Sequence, residues 1–415
     1  MQLSQVKELE QKYLLGTYSR YEMLVDRGSG AYLIDRSNKR YLDLLSGIGV
    51  NSLGYNHPRI KLMLRKQLKR PLHVSNLLYH EYQGRLAQKL CELSGLDRAF
   101  FTNSGTEAIE GCLKFARAFA SRQAQGNGGK PKFRILALEN SFHGRTFGAL
   151  SATSGKKYRE PFEPLVPGFE FVDFNDTADL ERKFTDDVCA ILLETIQGEG
   201  GIRPISEAFY ARARRLAADR GALLIADEIQ CGLGRTGQWF AFHRFAPAAE
   251  KSLLPDLVAT AKPLGLGIPL GAVILKESVA NAIKPGEHGT TFGGGPLACR
   301  ASLEYFKIME EEKLLERNRS VGAYFKGRLE ELRDLPIVKE VRGEGLMLAL
   351  ELTVPGKDIV RKLLEQGFIL NCTHDVVLRM LPPFIITEKQ IDKFIKVLRP
   401  VLQKEMEKET GQEKA

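Results

Sequence analysis

An α/β fold with a mainly parallel sheet is the class predicted by this 415-residue sequence. Three observations predict it. Short β-branched or apolar runs alternate with longer segments of helical periodicity, the alternation that covers a parallel sheet with helices on both faces. The intervening helices carry start and stop signals. The length exceeds the roughly 250–300 residues at which one core stops growing, so a further lobe is expected beside the sheet.

Taken in order, residues 1 to about 55 hold alternating pieces at 31–35 and 40–44 around the turn 37–39, a small hairpin. The stretch 61–70, KLMLRKQLKR, has the spacing of one amphipathic helix with a solvated basic face. Strand candidates follow at 99–102, 134–138, 190–193, 222–226, 257–260 and 271–275. Between them, 106–124 places Ile109, Leu113, Ala116 and Ala120 on one face, and 206–220 begins at a Ser cap and stops at Gly221. Residues 125–132, QGNGGKPK, read as an exposed loop. Helical patterns near 297–330 and 358–366 flank strand candidates 337–342 and 347–351, a separate α+β lobe. The tail 403–415 reads as a fraying helix end.

Composition narrows the function classes. At 43% hydrophobic and 27% charged, the chain is that of an ordinary soluble protein. Its 60 Lys+Arg against 51 Asp+Glu give a net +9, which suits nucleic acid, an acidic protein partner or anionic metabolites. The basic residues are spread along the chain, however, and no helix-turn-helix module stands at either end. Six cysteines lie far apart without a CxxC pair, so no metal site or disulfide framework is expected and a reducing cytoplasm fits. No signal peptide or membrane span is read, since no stretch approaches ~18 apolar residues.

In an open parallel sheet, ligands sit beyond the carboxyl ends of the strands. Ser104-Gly105-Thr106 follows the candidate 99–102 and opens a helix, with Glu107 completing a capping box. This is either a well-capped helix or a phosphate site at the positive end of the helix dipole. Asp227 follows the apolar run 222–226; a buried acid there needs a partner, either a structural cation or a cationic ring nitrogen. Lys262 falls at the same sheet edge, after 257–260 and before a glycine-rich stretch, and is a candidate Schiff-base amine. Phosphate cradle, strand-end Asp and strand-end Lys, in that order, define a pyridoxal-phosphate site.

At these residues the chain resembles the fold-type I, class III pyridoxal-phosphate aminotransferases, and among them the acetylornithine/ornithine aminotransferases. Nine ordered motifs carry the resemblance from about Gly16 to Ile386: TYSRY (17–21), GIGVNSLGYNHP (47–58), FFTNSGTEAIEGCLKFAR (100–117), SFHGRT (141–146), LLETIQGEGGI (192–202), ADEIQCGLGRTG (226–237), ATAKPLGLGIPLGA (259–272), HGTTFGGGPLACR (288–300) and LRMLPPFIIT (378–387).

The resemblance implies a large domain with a seven-stranded-type sheet over 61–305, and a small domain made by 1–60 and 306–415. It implies that Lys262 condenses with pyridoxal phosphate and shuttles protons, Asp227 pairs with the pyridinium, and Gln230 contacts the ring hydroxyl. Ser104, Gly105 and Thr106 would hold the phosphate, Phe142 would stack on the ring, and Thr291 would reach the phosphate of a neighbouring subunit, making a homodimer with shared sites. Arg145 would clamp the donor's α-carboxylate and Arg379 that of 2-oxoglutarate, two tasks suited to the guanidinium fork. Glu199 would mask Arg379 when an ω-amine enters, and Tyr18 would line the distal end of the pocket. Pro263 after the lysine departs from the family's usual Gly, and Leu266 stands in what is often a glycine run; a residue before proline is held to extended conformations, which a strand-end lysine satisfies.

The activity implied is transamination of N-acetylornithine with 2-oxoglutarate in arginine biosynthesis. Ornithine, N-succinylornithine, 4-aminobutyrate and a lysine-pathway amine on an acidic carrier protein are alternative donors. An isomerase of the same fold would need no 2-oxoglutarate clamp, and a DNA-binding regulator would need a module that is not read.

Overall fold

A seven-stranded sheet forms the centre of the computed structural model, which describes residues 1–247 and 250–412. In sheet order it consists of Arg98–Thr102, Gly271–Leu275, Leu257–Thr260, Leu223–Asp227, Val188–Glu194, Arg134–Leu138 and Phe169–Val172. Gly271–Leu275 runs antiparallel to both neighbours, and the other strands share one direction. Every residue of Val188–Glu194 is buried, the signature of a strand covered on both faces. Ile191 and Leu193 join one apolar cluster and Ala190 and Leu192 another, so this strand anchors both layers of the core. Each fully buried Leu or Ile contributes about 1.5–3 kcal/mol.

Helix Gly105–Asn127 starts where the cap predicts, with Ser104 Oγ accepting from the Glu107 amide at 3.3 Å. The return arm of the capping box reaches one residue earlier than expected, because Glu107 Oε2 accepts from the Asn103 amide at 2.7 Å. Ile109, Leu113, Ala116 and Ala120 are all buried. This helix continues to a left-handed Gly128 cap, which corrects the reading of 125–132 as loop throughout. The pattern over 297–330 proves to be two helices, Pro296–Glu311 and Leu314–Glu330, parted at Lys313 with φ +50°. Strands Phe169–Val172, Asn371–Thr373 and Val377–Met380 were not anticipated. The tail continues the helix Glu388–Gln412, and its last three residues, 413–415, lie outside the described residues.

The two chain ends meet. The hairpin Tyr32–Asp35 and Arg40–Asp43 pairs in parallel with Phe368–Ile369. A second small sheet joins Val338–Glu344, Met347–Leu352, Val377–Met380 and Asn371–Thr373. Its register places Arg342 beside Ala349, Ala349 beside Arg379, and Arg379 beside Asn371. Residues directly opposite share a face, so both arginines project from one side of this sheet. Among the described residues, no helix is long and apolar enough to cross a membrane.

Candidate active site

A cavity of about 390 Å³ lies beyond the carboxyl ends of the central strands, lined by Ser104, Gly105, Thr106, Phe142, Arg145, Glu199, Asp227, Gln230 and Lys262 among others. That volume suits a small-molecule site. Lining residues from Val50 to Leu270, 220 positions apart in sequence, are gathered there, chiefly by the strand ends and the loops that follow them.

Asp227 ends its strand and is 4% exposed. Its Oδ2 accepts from His143 Nδ1 at 2.7 Å and its Oδ1 from the Ile229 amide at 3.0 Å. Among the described residues no Lys or Arg pairs with it. A buried carboxylate that lines the cavity and has no Lys or Arg ion-pair partner among the described residues is an acceptor that fits a protonated ring nitrogen. The bond to Asp227 places the imidazole proton on Nδ1, and the buried Nε2 has no partner. Behind them Glu194, in register beside Asp227, accepts from the amides of Phe142 at 3.0 Å and Gly198 at 2.8 Å. Burial pushes the Glu194 carboxyl up, against the pull of His143.

The other end of the cavity fits a phosphate. The first-turn amides of Gly105 and Thr106 have no intrahelical acceptor and begin a 23-residue helix, so its positive dipole end faces the cavity. The chain approaches closely here. Gly144 has φ +143°, and a Cβ on it would stand 2.2 Å from Thr106 Oγ1. Thr106 Oγ1 also accepts from the amide of Arg145 at 3.3 Å, tying the cradle to the SFHGRT loop.

Lys262 enters between these ends from a short 3₁₀ turn, Lys262–Gly265. Its φ is +45°, which corrects the expected extended conformation: the lysine is left-handed, and Leu266 is too at φ +51°. Each such non-glycine residue stores about 1–2 kcal/mol of strain; at Leu266 this is the position where glycine would be relaxed. Burial lowers the Lys262 amine's pKa, opposed by the charges of Glu199 and Asp227. The amine makes no hydrogen bond among the described residues.

The two predicted carboxylate clamps differ in state. Arg145 is exposed, its guanidinium 4.1 Å from the Tyr158 ring centroid and 5.5 Å from that of Phe142, and no carboxylate pairs with it among the described residues. Arg379 is fully buried one layer behind the cavity wall. Its Nη1 donates to Glu199 Oε1 and, at 3.2 Å, to Gln230 Oε1, while Nε donates to Asn371 Oδ1 at 3.2 Å. Burial raises the Glu199 carboxyl, but the charge and hydrogen bond of Arg379 outweigh it and hold it below the usual value.

Two predicted residues stand apart from the cavity in the single chain. Thr291 is exposed, beside Thr290, whose Oγ1 accepts from Asn103 Nδ2 at 3.0 Å. Tyr18 is 79% exposed and outside the lining. The TYSRY tyrosine nearer to the clamp is Tyr21, whose hydroxyl donates to the Leu370 carbonyl at 2.7 Å. His143 and Glu194 were missed as functional residues. Glu194 carried a usable signal, an acid directly after a buried run, the same rule that singled out Asp227.

The Aminotransferase class-III family model matches residues 16–402. The chain is 46% identical over 399 residues to an acetylornithine aminotransferase of Methanocaldococcus jannaschii, covering 95% of this chain and 97% of that one. It is 45% identical to an acetylornithine aminotransferase of Aquifex aeolicus, covering 94% and 100%. A solved ornithine aminotransferase of Toxoplasma gondii, with PLP at partial occupancy in its active site, superposes with TM-score 0.89 at 31% identity, covering 97% of this chain and 96% of that one.

Proposed function

Because this chain belongs to the class-III aminotransferases, of fold-type I, we propose that it moves the terminal amino group of N-acetyl-L-ornithine to 2-oxoglutarate with pyridoxal phosphate as cofactor. The products are N-acetylglutamate semialdehyde and glutamate, a step of arginine biosynthesis. The observation that carries this reading is one cavity shared by Lys262, Asp227 and an unpaired Arg145, with Arg379 masked by Glu199 at its wall. The names of the 45–46% identical relatives support the donor.

When bound, the cofactor supplies an aldehyde for Lys262 and a cationic ring that takes up the electron pair of the reacting carbon. Gly105 and Thr106 would hold its phosphate through their free first-turn amides, with Ser104 beside them. Phe142 would cover one ring face, Gln230 would contact the ring hydroxyl, and Asp227 would keep a proton on the ring nitrogen. The Lys262 amine, shifted toward its neutral form by burial, takes the proton from the donor's amine-bearing carbon at Nζ. Arg145 clamps the donor's α-carboxylate, and Glu199 neutralises Arg379 while the donor's own charge occupies the site. Turning Glu199 away bares Arg379 for the oxo acid's carboxylate.

A homodimer in the cytoplasm completes the proposal. Leu77 and Tyr79 are 91% and 106% exposed, Leu72, Leu78 and Phe292 are exposed too, and Phe292 follows Thr291 in the chain. His73 lies against Phe292 at 4.9 Å, and Asn76 Nδ2 donates to the Thr290 carbonyl at 3.1 Å, so the apolar residues belong to one surface. Such a surface calls for a partner, and a second copy would bring Thr291 toward the neighbouring phosphate cradle. The six cysteines are free thiols, as suits a reducing compartment.

A donor panel with 2-oxoglutarate tests the substrate. N-acetylornithine is expected to exceed ornithine and 4-aminobutyrate by about 10–200-fold in kcat/KM, the range one distal group controls; a 4-aminobutyrate preference overturns the choice. A second measurement tests Lys262. Because its pKa is lowered, covalent capture of pyridoxal phosphate by the apoprotein should quicken as pH rises, with a midpoint below the ordinary lysine value. A midpoint at that ordinary value or above contradicts the assignment.

A further inference from the structure

We infer that Arg342 is a positioning residue that fixes where Glu199 stands against Arg379, and so governs the alternation between amine donor and oxo acid; the inference rests on the function proposed above. Glu199 sits in a tight loop joining Ile196–Gln197 to Arg203–Pro204. Two groups from one face of the small sheet hold that loop. Arg379 takes the Glu199 side chain, and Arg342 Nε donates to the Gly201 carbonyl at 2.8 Å. Ala349 lies between the two arginines in the register, and its small side chain leaves both guanidiniums room to reach across.

Arg342 is itself firmly held. It is 7% exposed, and its Nη1 meets Glu351 and Glu340 carboxylate oxygens, each at 2.5 Å. Its Nη2 is buried without a hydrogen-bond partner and faces Gly201, where a Cβ would come within 3.3 Å of it. Gly201 has φ +94°, a conformation that glycine adopts without strain. The guanidinium is thus pressed against a glycine and bonded to its carbonyl, two residues after Glu199. The loop backbone is pinned, so exchange of Glu199 for an incoming carboxylate is confined to its side chain, and Glu199 returns to the same place each cycle.

Without that pin, Glu199 spends less time on Arg379. Arg379 then remains an uncompensated cation, which opposes a cationic ω-amine but still suits an oxo acid. Single-turnover half-reactions test this, following the cofactor spectrum of the holoenzyme first with the amine donor and then, from the aminated form, with 2-oxoglutarate. In Arg342→Gln, kcat/KM for the amine half-reaction should fall about 10-fold relative to that for the oxo-acid half-reaction, the worth of one charge-assisted hydrogen bond. Arg342→Lys keeps the charge against Glu351 and can reach the carbonyl, so the ratio should recover in part. If Arg342→Gln does not fold, Arg342→Lys decides alone, with a ratio shifted in the same direction. Equal slowing of both halves, as a merely structural residue would give, or no change in either, overturns the inference while leaving the proposed function intact. Wild-type protein inactive in both half-reactions with every donor would overturn both.

Discussion

Lys262→Ala is expected to lower steady-state turnover by at least about 10²–10⁴-fold, the contribution of a positioned general base, and to abolish the near-visible absorbance of the lysine-bound cofactor. The expectation follows from where the amine lies. It enters a cavity whose other walls include Asp227 and the helix start at Ser104, Gly105 and Thr106, and among the described residues no other lysine lines that cavity. Burial lowers its pKa, so a larger share of it is neutral and able both to attack an aldehyde and to accept a proton. Loss of fold does not account for the predicted loss. The amine makes no hydrogen bond among the described residues, and removing a desolvated charge from a site tuned for chemistry typically leaves stability unchanged or improved. The thermal midpoint of the variant should therefore match or exceed that of the parent. Activity within tenfold of the parent, or an unchanged absorption band, would falsify the role given to Lys262.

The strand ends were legible in the sequence because a buried parallel strand is a continuous apolar run, and an acid, hydroxyl or lysine directly after such a run is out of place unless something there needs it. That rule reached Asp227, Lys262 and the Ser104 cap from local sequence alone, and it would have reached Glu194. It could not reach the pairing of Glu199 with Arg379, since 180 residues separate them and neither stretch signals the other; only the family resemblance joined them. Nor could it find that Arg342 and Arg379 share a face, because that is a property of strand register rather than of spacing within either strand. Arg379 itself lies in a strand, Val377–Met380, whose interior arginine hides the apolar run. The left-handed Lys262 shows a different limit. Proline restricts its predecessor in general, but closing the turn onto the cavity overrides that preference, as happens where function sustains strain. Tyr18 carries a role drawn from the family that a single chain does not display, since it stands 79% exposed.

The second large effect concerns Asp227. Asp227→Asn should reduce kcat by about 10²–10⁴-fold, because taking one charge from a buried pair costs about 3–5 kcal/mol and each 1.36 kcal/mol is tenfold in rate. The fold should tolerate the change. Both carboxylate oxygens now accept hydrogen bonds, from His143 Nδ1 and the Ile229 amide. An asparagine can keep its carbonyl toward Ile229 and turn its amide toward His143, which moves its own proton from Nδ1 to Nε2 and becomes an acceptor. Since Nε2 is buried without a partner in either tautomer, that exchange adds no new unsatisfied atom of that kind. What the asparagine cannot do is hold a positive charge on the ring. A ring nitrogen facing a neutral amide keeps its proton only in more acidic solution, so the residual activity of Asp227→Asn should rise as pH falls relative to the parent. An alkaline shift of the profile, or a kcat within tenfold of the parent, would mean that Asp227 serves His143 and the loop around it rather than the cofactor.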